Sequence, residues 1–189
     1  MAAQTTGLGS FTSALPYGGA RPSLFEFQIT AAPSAVDSSL SSVSLYCNVS
    51  EIPPLTLTPI ERQYFGRTVK IPGDLVFADL TTTIINTEKY NVRNEIEKWM
   101  ETINATSSNK SATVADFGTG TAQLKHYQKN GTVTMIYQFN DIWPTALSEI
   151  ALSYDTASDI EQFDVTWAYN YYTMVLGSGT SVATNNVQA

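Results

Sequence analysis

The sequence predicts a mainly β fold, an antiparallel β-sandwich or barrel, and three observations carry that prediction. Apolar and polar residues alternate with a period of two through most of the middle of the chain. Alternation means one buried and one wet or shared face, which is the habit of antiparallel sheets. Several such strands recur at fairly even spacing, and only one segment switches to a helical period.

Residues 1–22 come first. They carry Gly7, Gly9, Pro16, Gly18, Gly19 and Pro22 among Ser, Thr and Ala, the composition of a flexible arm. Phe25, Phe27 and Ile29 then alternate with Glu26, Gln28 and Thr30 as a strand. Val43, Leu45, Cys47 and Val49 alternate with Ser44, Tyr46 and Asn48 and predict a second strand, with Cys47 on its apolar face. Residues 50–75 hold Pro53, Pro54, Pro59 and Pro72, so this stretch is not ordinary central strand. It also holds Ile52, Leu55, Leu57, Ile60, Tyr64 and Phe65. A long apolar excursion stiffened by proline must bury those side chains on its own domain or on a partner. Strands are expected over 67–71 and 76–86.

Val92, Ile96, Trp99 and Ile103 follow at spacings of a helical stripe, with Arg93, Glu95, Glu97, Lys98 and Glu101 elsewhere around the axis. An amphipathic helix over about 91–104 should pack this face on the barrel or across its end, with Asn91 as the expected N-cap. A polar loop follows. Strands are expected over 121–128, 132–139, 149–154 and 163–171, the last from Phe163, Val165, Trp167, Tyr169 and Tyr171. Residues 177–189 return to a Gly, Ser and Thr composition, a second flexible tail. One domain over 23–176 remains between the arms.

Composition bounds what this domain does. The chain has 189 residues, 43% hydrophobic and 11% aromatic, enough for a core. Lys plus Arg is 10 against 17 Asp plus Glu, a net charge of -7, which disfavours a grip on phosphates. The single Cys excludes an intrachain disulfide, and the single His excludes sites that need several imidazoles. No apolar run reaches membrane-spanning length, so no membrane insertion is expected, and residues 1–23 lack the pattern of a secretory signal.

Candidate chemistry is thin. His126, beside Lys125 and Tyr127, reads as a structural or exposed histidine without a positioned partner. Cys47 reads as a buried, inert thiol. The carboxylate pairs Asp155 with Asp159 and Glu95 with Glu97 come with no sugar-gripping cleft. There is no calcium-loop, P-loop or dinucleotide motif. The sequons at Asn48, Asn104, Asn109 and Asn130 read as chance in a Ser- and Thr-rich chain. No enzyme, cofactor or metal is expected. A monomeric β-barrel binding module stays open as an alternative, with Tyr169, Tyr171 and Tyr172 as its aromatic platform; the alternation of their strand also explains them as core and interface, which is the favoured reading.

Six segments in order resemble the tail tube proteins of contractile-tailed bacteriophages. They are LFEFQI, LYCNVSEIPPL, YFGRTVKIPGDLVFADLTTTII, NVRNEIEKWMETIN, FNDIWPTALSEIALSYD and FDVTWAYNYY, spanning about residues 22–173. In the fourth, Arg93, Glu97, Trp99 and Ile103 match the family's helix pattern. Trp143 and Trp167 stand where the family usually has Phe, and both arms are longer than expected. The resemblance implies hexameric rings whose subunits pool strands into one ring-wide β-barrel. Such rings stack into a hollow tube that passes the genome into the host. It implies that Ile52, Pro53, Pro54, Leu55, Tyr64 and Phe65 reach into the adjacent ring, and that lumen positions are small and polar. Implied partners are other copies, the tail sheath, baseplate and tail terminator proteins, with the tape measure protein and genomic DNA inside. The implied location is the virion tail, assembled in the host bacterial cytoplasm. The inner tube of a related contractile injection system would have the same fold without a genome.

Overall fold

The computed structural model describes residues 8–15, 18–33, 36, 38–108, 110, 111, 120–156, 159–177 and 181–182. Leu8–Ala14 is a short helix, α1, within the expected N-terminal arm. Strand β1, Phe25–Ala31, buries Phe27 and Ile29 and turns Glu26, Gln28 and Thr30 outward. A 3-10 turn at Ser38–Ser42 leads into one turn of helix, α2, at Val43–Tyr46.

Here the structure corrects the sequence. The strand expected over 43–49 exists only as β2, Cys47–Ser50. The helical turn buries Val43 and leaves Leu45 exposed, so these side chains do not share a face.

Beyond β2 the chain forms β3, Leu55–Tyr64, and β4, Arg67–Phe77, and re-enters the main sheet as β5, Leu80–Ile85. The expected 76–86 strand is therefore the end of one element and the whole of another. Helix α3 covers Asn91–Ile103. Its N-cap is Tyr90, in the left-handed region at φ 53 and without a side-chain cap, so Asn91 is the first helical residue and not the cap. Tyr90 donates instead to Glu161 at 2.7 Å. Strands β6, Gly120–Tyr127, and β7, Val133–Leu147, follow. The strand expected at 149–154 is absent; irregular chain runs there into a 3-10 turn at Tyr154–Thr156. Strands β8, Gln162–Ala168, β9, Tyr171–Leu176, and β10, Ser181–Val182, close the described chain.

All sheet pairing is antiparallel, and β7 belongs to two layers. Its first half lies between β6 and β9, in a layer β1-β6-β7-β9-β10. Its second half pairs with β8, in a layer β7-β8-β5-β2. The chain changes layer twice at one corner. Asp141 takes φ 56 in the middle of β7, and the long 163–171 strand breaks into β8 and β9 at Tyr169 and Asn170. Asn170 ties the two crossings together: its side-chain amide donates to Asp141 Oδ2 at 3.0 Å and its N–H to the Asn140 carbonyl at 3.2 Å.

Between the layers lies one core. It includes Phe27, Leu40, Val43, Leu80, Ile84, Phe139, Ile142, Phe163, Val165 and Trp167, joined by Val92, Ile96 and Trp99 from α3. Ile103 is half-buried against it. The Trp99 and Trp167 rings lie 5.8 Å apart, and Phe27 lies 6.0 Å from Trp167. Trp167 is fully buried, and its indole N–H donates to Thr82 Oγ1 at 2.9 Å, so neither polar group is orphaned. Arg93 stacks over Phe163 at 5.3 Å while its guanidinium donates to the Ser148 carbonyl, fastening α3 to the end of β7.

Candidate assembly surface

The proline-rich stretch does not fold back on its domain. It is a two-stranded hairpin, β3 with β4, paired to no other strand among the described residues. Its register runs from Leu55 opposite Phe77 to Tyr64 opposite Arg67. The two-residue turn Phe65-Gly66 has φ 45 and 77, both positive, as a twist-matched hairpin turn requires. Gly66 meets that demand without strain; Phe65 holds it at a cost.

Near the middle a bulge shifts the register between Leu57 and Pro59. A Cβ on Gly73 would lie 2.5 Å from the Thr58 carbonyl oxygen and 2.8 Å from Ile60 Cγ1, so only glycine fits that approach. Pro59 sits directly opposite Pro72. Counting from the closing pair Tyr64 and Arg67, hydrogen-bonded and non-hydrogen-bonded pairs alternate, and Pro59 with Pro72 falls on a non-hydrogen-bonded one. Their missing N–H groups therefore cost the hairpin no ladder bond.

The strands carry apolar side chains on surfaces that nothing among the described residues covers fully. Leu55, Leu57, Ile60, Val69, Ile71, Leu75 and Val76 are each about half exposed. At the tip Tyr64 is 67% and Phe65 90% exposed, their rings edge to face at 4.5 Å. Lys70 pairs with Glu61 at 3.3 Å, an exposed pair that contributes little. The hairpin is anchored by Phe77, whose ring lies 6.0 Å from Tyr169 and 5.4 Å from Tyr172.

Of the residues singled out from sequence, Ile52, Pro54, Leu55, Tyr64 and Phe65 are exposed, whereas Pro53 is buried at the hairpin's root. Reading the sequence as an excursion missed the second strand's share of the surface: Val69, Ile71, Leu75 and Val76. The signal was there in the alternation on both sides of Phe65-Gly66.

The other candidates form no common site. His126 lies 3.0 Å from the Arg21 carbonyl through Nε2, beneath the N-terminal arm. Cys47 is half-buried, and desolvation pushes its thiol up to about 12, so the nucleophilic thiolate is suppressed. Glu95 pairs with Lys98 at 2.6 Å and Glu97 with Arg93 at 3.0 Å. The three tyrosines do not make a platform. Tyr169 and Tyr172 are buried with Phe77, Tyr137 and Phe139, and only Tyr171 faces out. Tyr169 donates to the Ala78 carbonyl at 2.6 Å, and burial pushes its phenol up to about 12.

A sandwich that carries exposed apolar side chains along an anchored hairpin has the build of a structural subunit with a surface for another molecule. Comparison with known proteins gives the family. The phage tail tube protein family matches residues 20–175. The tail tube protein gp19 of Enterobacteria phage T4 is 25% identical over 155 residues, covering 81% of this chain and 90% of that protein. The tail tube protein of Serratia phage KSP90 is 26% identical over 159 residues, covering 82% and 90%. The chain belongs to the phage tail tube protein family and is a structural subunit of a phage tail tube. Among solved structures, it resembles a chain of the sheath-tube complex of an extracellular contractile injection system, PVC, in its extended state. That match has a TM-score of 0.61 at 15% identity over 87% of this chain and 97% of that chain. The tube terminating cap of the anti-feeding prophage matches with a TM-score of 0.59, also at 15% identity, over 84% and 91%. At such identity these structures show a shared fold.

Proposed function

We propose that the subunits form hexameric rings, pool strands into one ring-wide β-barrel, and stack head to tail into the hollow tube through which the genome enters the host. The observation that carries this reading is the hairpin. An apolar, root-anchored hairpin projecting beyond its own core needs a surface on another molecule. A head-to-tail contact that does not close on itself makes an open filament. Ile52, Pro54, Leu55, Tyr64 and Phe65 are the inter-ring contacts, with Pro53 fixing the angle at which the chain leaves β2. Strand β1 pairs only with β6 and β2 only with β5 among the described residues, which leaves edges for neighbours within a ring. A net charge of -7 keeps DNA moving as cargo instead of binding it.

The partners are further copies, the tail sheath protein outside, and baseplate and tail terminator proteins at the two ends. The tape measure protein and genomic DNA occupy the lumen, and assembly takes place in the host bacterial cytoplasm. The relatives matched by sequence are phage proteins, which favours a virion over the inner tube of an injection machine.

Negative-stain electron microscopy of the purified protein, alone and seeded with baseplate extract, tests the reading. Rings or hollow tubes with a central channel are expected. Monomers under both conditions would overturn it.

A further inference from the structure

The hairpin tip needs a counterpart, and the opposite end of the molecule carries one. Strand β5 runs from Leu80, opposite Trp167, to Ile85, opposite Gln162. The hairpin returns to the sheet at the Leu80 end, because β4 ends at Phe77. The connection from β7 to β8 starts where Ser148 donates to the Asp164 carbonyl, at the level of Thr83, and ends where Glu161 accepts from the Asn86 N–H, so both its ends lie toward the Ile85 end of a strand about 17 Å long.

That far end also carries uncovered apolar groups. Leu152 and Ile160 are mostly exposed and Tyr154 fully so. Residues 148–164 contain five acids and no Lys or Arg, and Arg93, which reaches the Ser148 carbonyl, is already paired with Glu97. Glu149, Asp155 and Asp159 are exposed and take part in no ion pair among the described residues. The hairpin tip has the complementary build. Tyr64 and Phe65 are its exposed apolar groups, and Arg62 and Arg67 flank them without an acidic partner among the described residues. Lys70 is already neutralised by Glu61.

We propose that Leu152, Tyr154 and Ile160, with Asp155 and Asp159, form the socket that receives the hairpin tip of the next copy along the tube. The inference rests on the stacking reading and adds its receiving surface. The hairpin is rooted at one end of β5 and the acidic connection joins the sheet toward the other. A translation of one copy along the strand axis brings them together, and the contact repeats without closing. The apolar groups supply the attraction. The arginines and aspartates fix which end meets which, since reversing a copy sets like charge against like.

A charge exchange tests the socket. Asp155→Arg with Asp159→Arg should leave the melting temperature unchanged and cut the yield of tubes about tenfold or more. Arg62→Glu with Arg67→Glu should do the same. Combining all four changes in one chain should restore tubes, because every copy then carries the exchanged pair. Normal tubes from the aspartate variant, or no rescue in the combined chain, would overturn the socket while leaving stacking intact. Normal tubes that no longer take up sheath would assign the acidic face to the sheath, again overturning the socket. An unmodified protein that never forms tubes would sink the stacking reading and the socket together.

Discussion

The core around Trp99 and the hairpin from Leu55 to Phe77 draw on similar residues and use them in opposite directions. Around Trp99, branched and aromatic side chains from two sheet layers and a helix meet with almost no exposure, and the neighbouring Trp167 indole N–H has its acceptor. Along the hairpin, Leu, Ile and Val stand half in water on a two-stranded ribbon. An isolated ribbon of that kind is marginal in water. Its rigidity comes from its turn, its bulge and the seating of Phe77 among Tyr169 and Tyr172. The first region holds one subunit together. The second is the surface that the proposed stacking assigns to another subunit.

Substitutions should separate the two roles. The largest loss of stability is expected from Trp99→Ala, about 3–5 kcal/mol, because a fully buried ring leaves a cavity between the layers. Thermal unfolding would measure it, and wild-type melting would mean that α3 does not anchor the core. Thr82→Val keeps the volume but strands the Trp167 N–H, for a loss of about 1–3 kcal/mol in the same assay. Replacing Ile52–Leu57 with a Gly/Ser linker should leave the core's melting almost untouched while abolishing tubes in electron micrographs. Intact tubes would remove the hairpin root from the interface. The smallest effect concerns protons. Cys47, raised from 9.0 to about 12, and Tyr169, raised from 10.0 to about 12, stay protonated in the fold at pH values where the unfolded chain has released those protons. Stability is therefore undiminished below about pH 9 and falls as pH rises toward 12. A melting series across that window would show the decline, and Cys47→Ser should make it shallower. A thiol reagent at pH 8 should label native Cys47 slowly.

The legible parts of the fold were those in which one rule acted alone. Phe25 to Ile29 and Val133 to Phe139 alternate because each strand has one wet face, and α3 shows its stripe because its other faces are polar. The misread parts were those in which chain direction changed without changing the pattern. Val43 to Tyr46 alternates like a strand, yet a single helical turn is too short for its own period to register. Phe163 to Tyr171 alternates through the layer change at Asn170, because parity is blind to a corner. For the assembly surface, proline marked the unusual stretch, and Pro59 and Pro72 did argue correctly against a central strand. They did not reveal a regular hairpin, since a ribbon with two edges tolerates proline where its N–H would point to water.

Those two prolines also bear on how the ribbon's open edges behave toward other copies. A long, half-apolar ribbon with both edges open is a template for runaway cross-β pairing with its siblings. An incoming strand would have to pair with the outward N–H groups of each edge. Midway along one edge that group is missing at Pro59, and directly across from it the other edge lacks it at Pro72. Strand addition is interrupted on both sides while the side-chain faces stay available. The two prolines thus work against fibril-like strand addition while leaving exposed the faces that the proposed stacking uses.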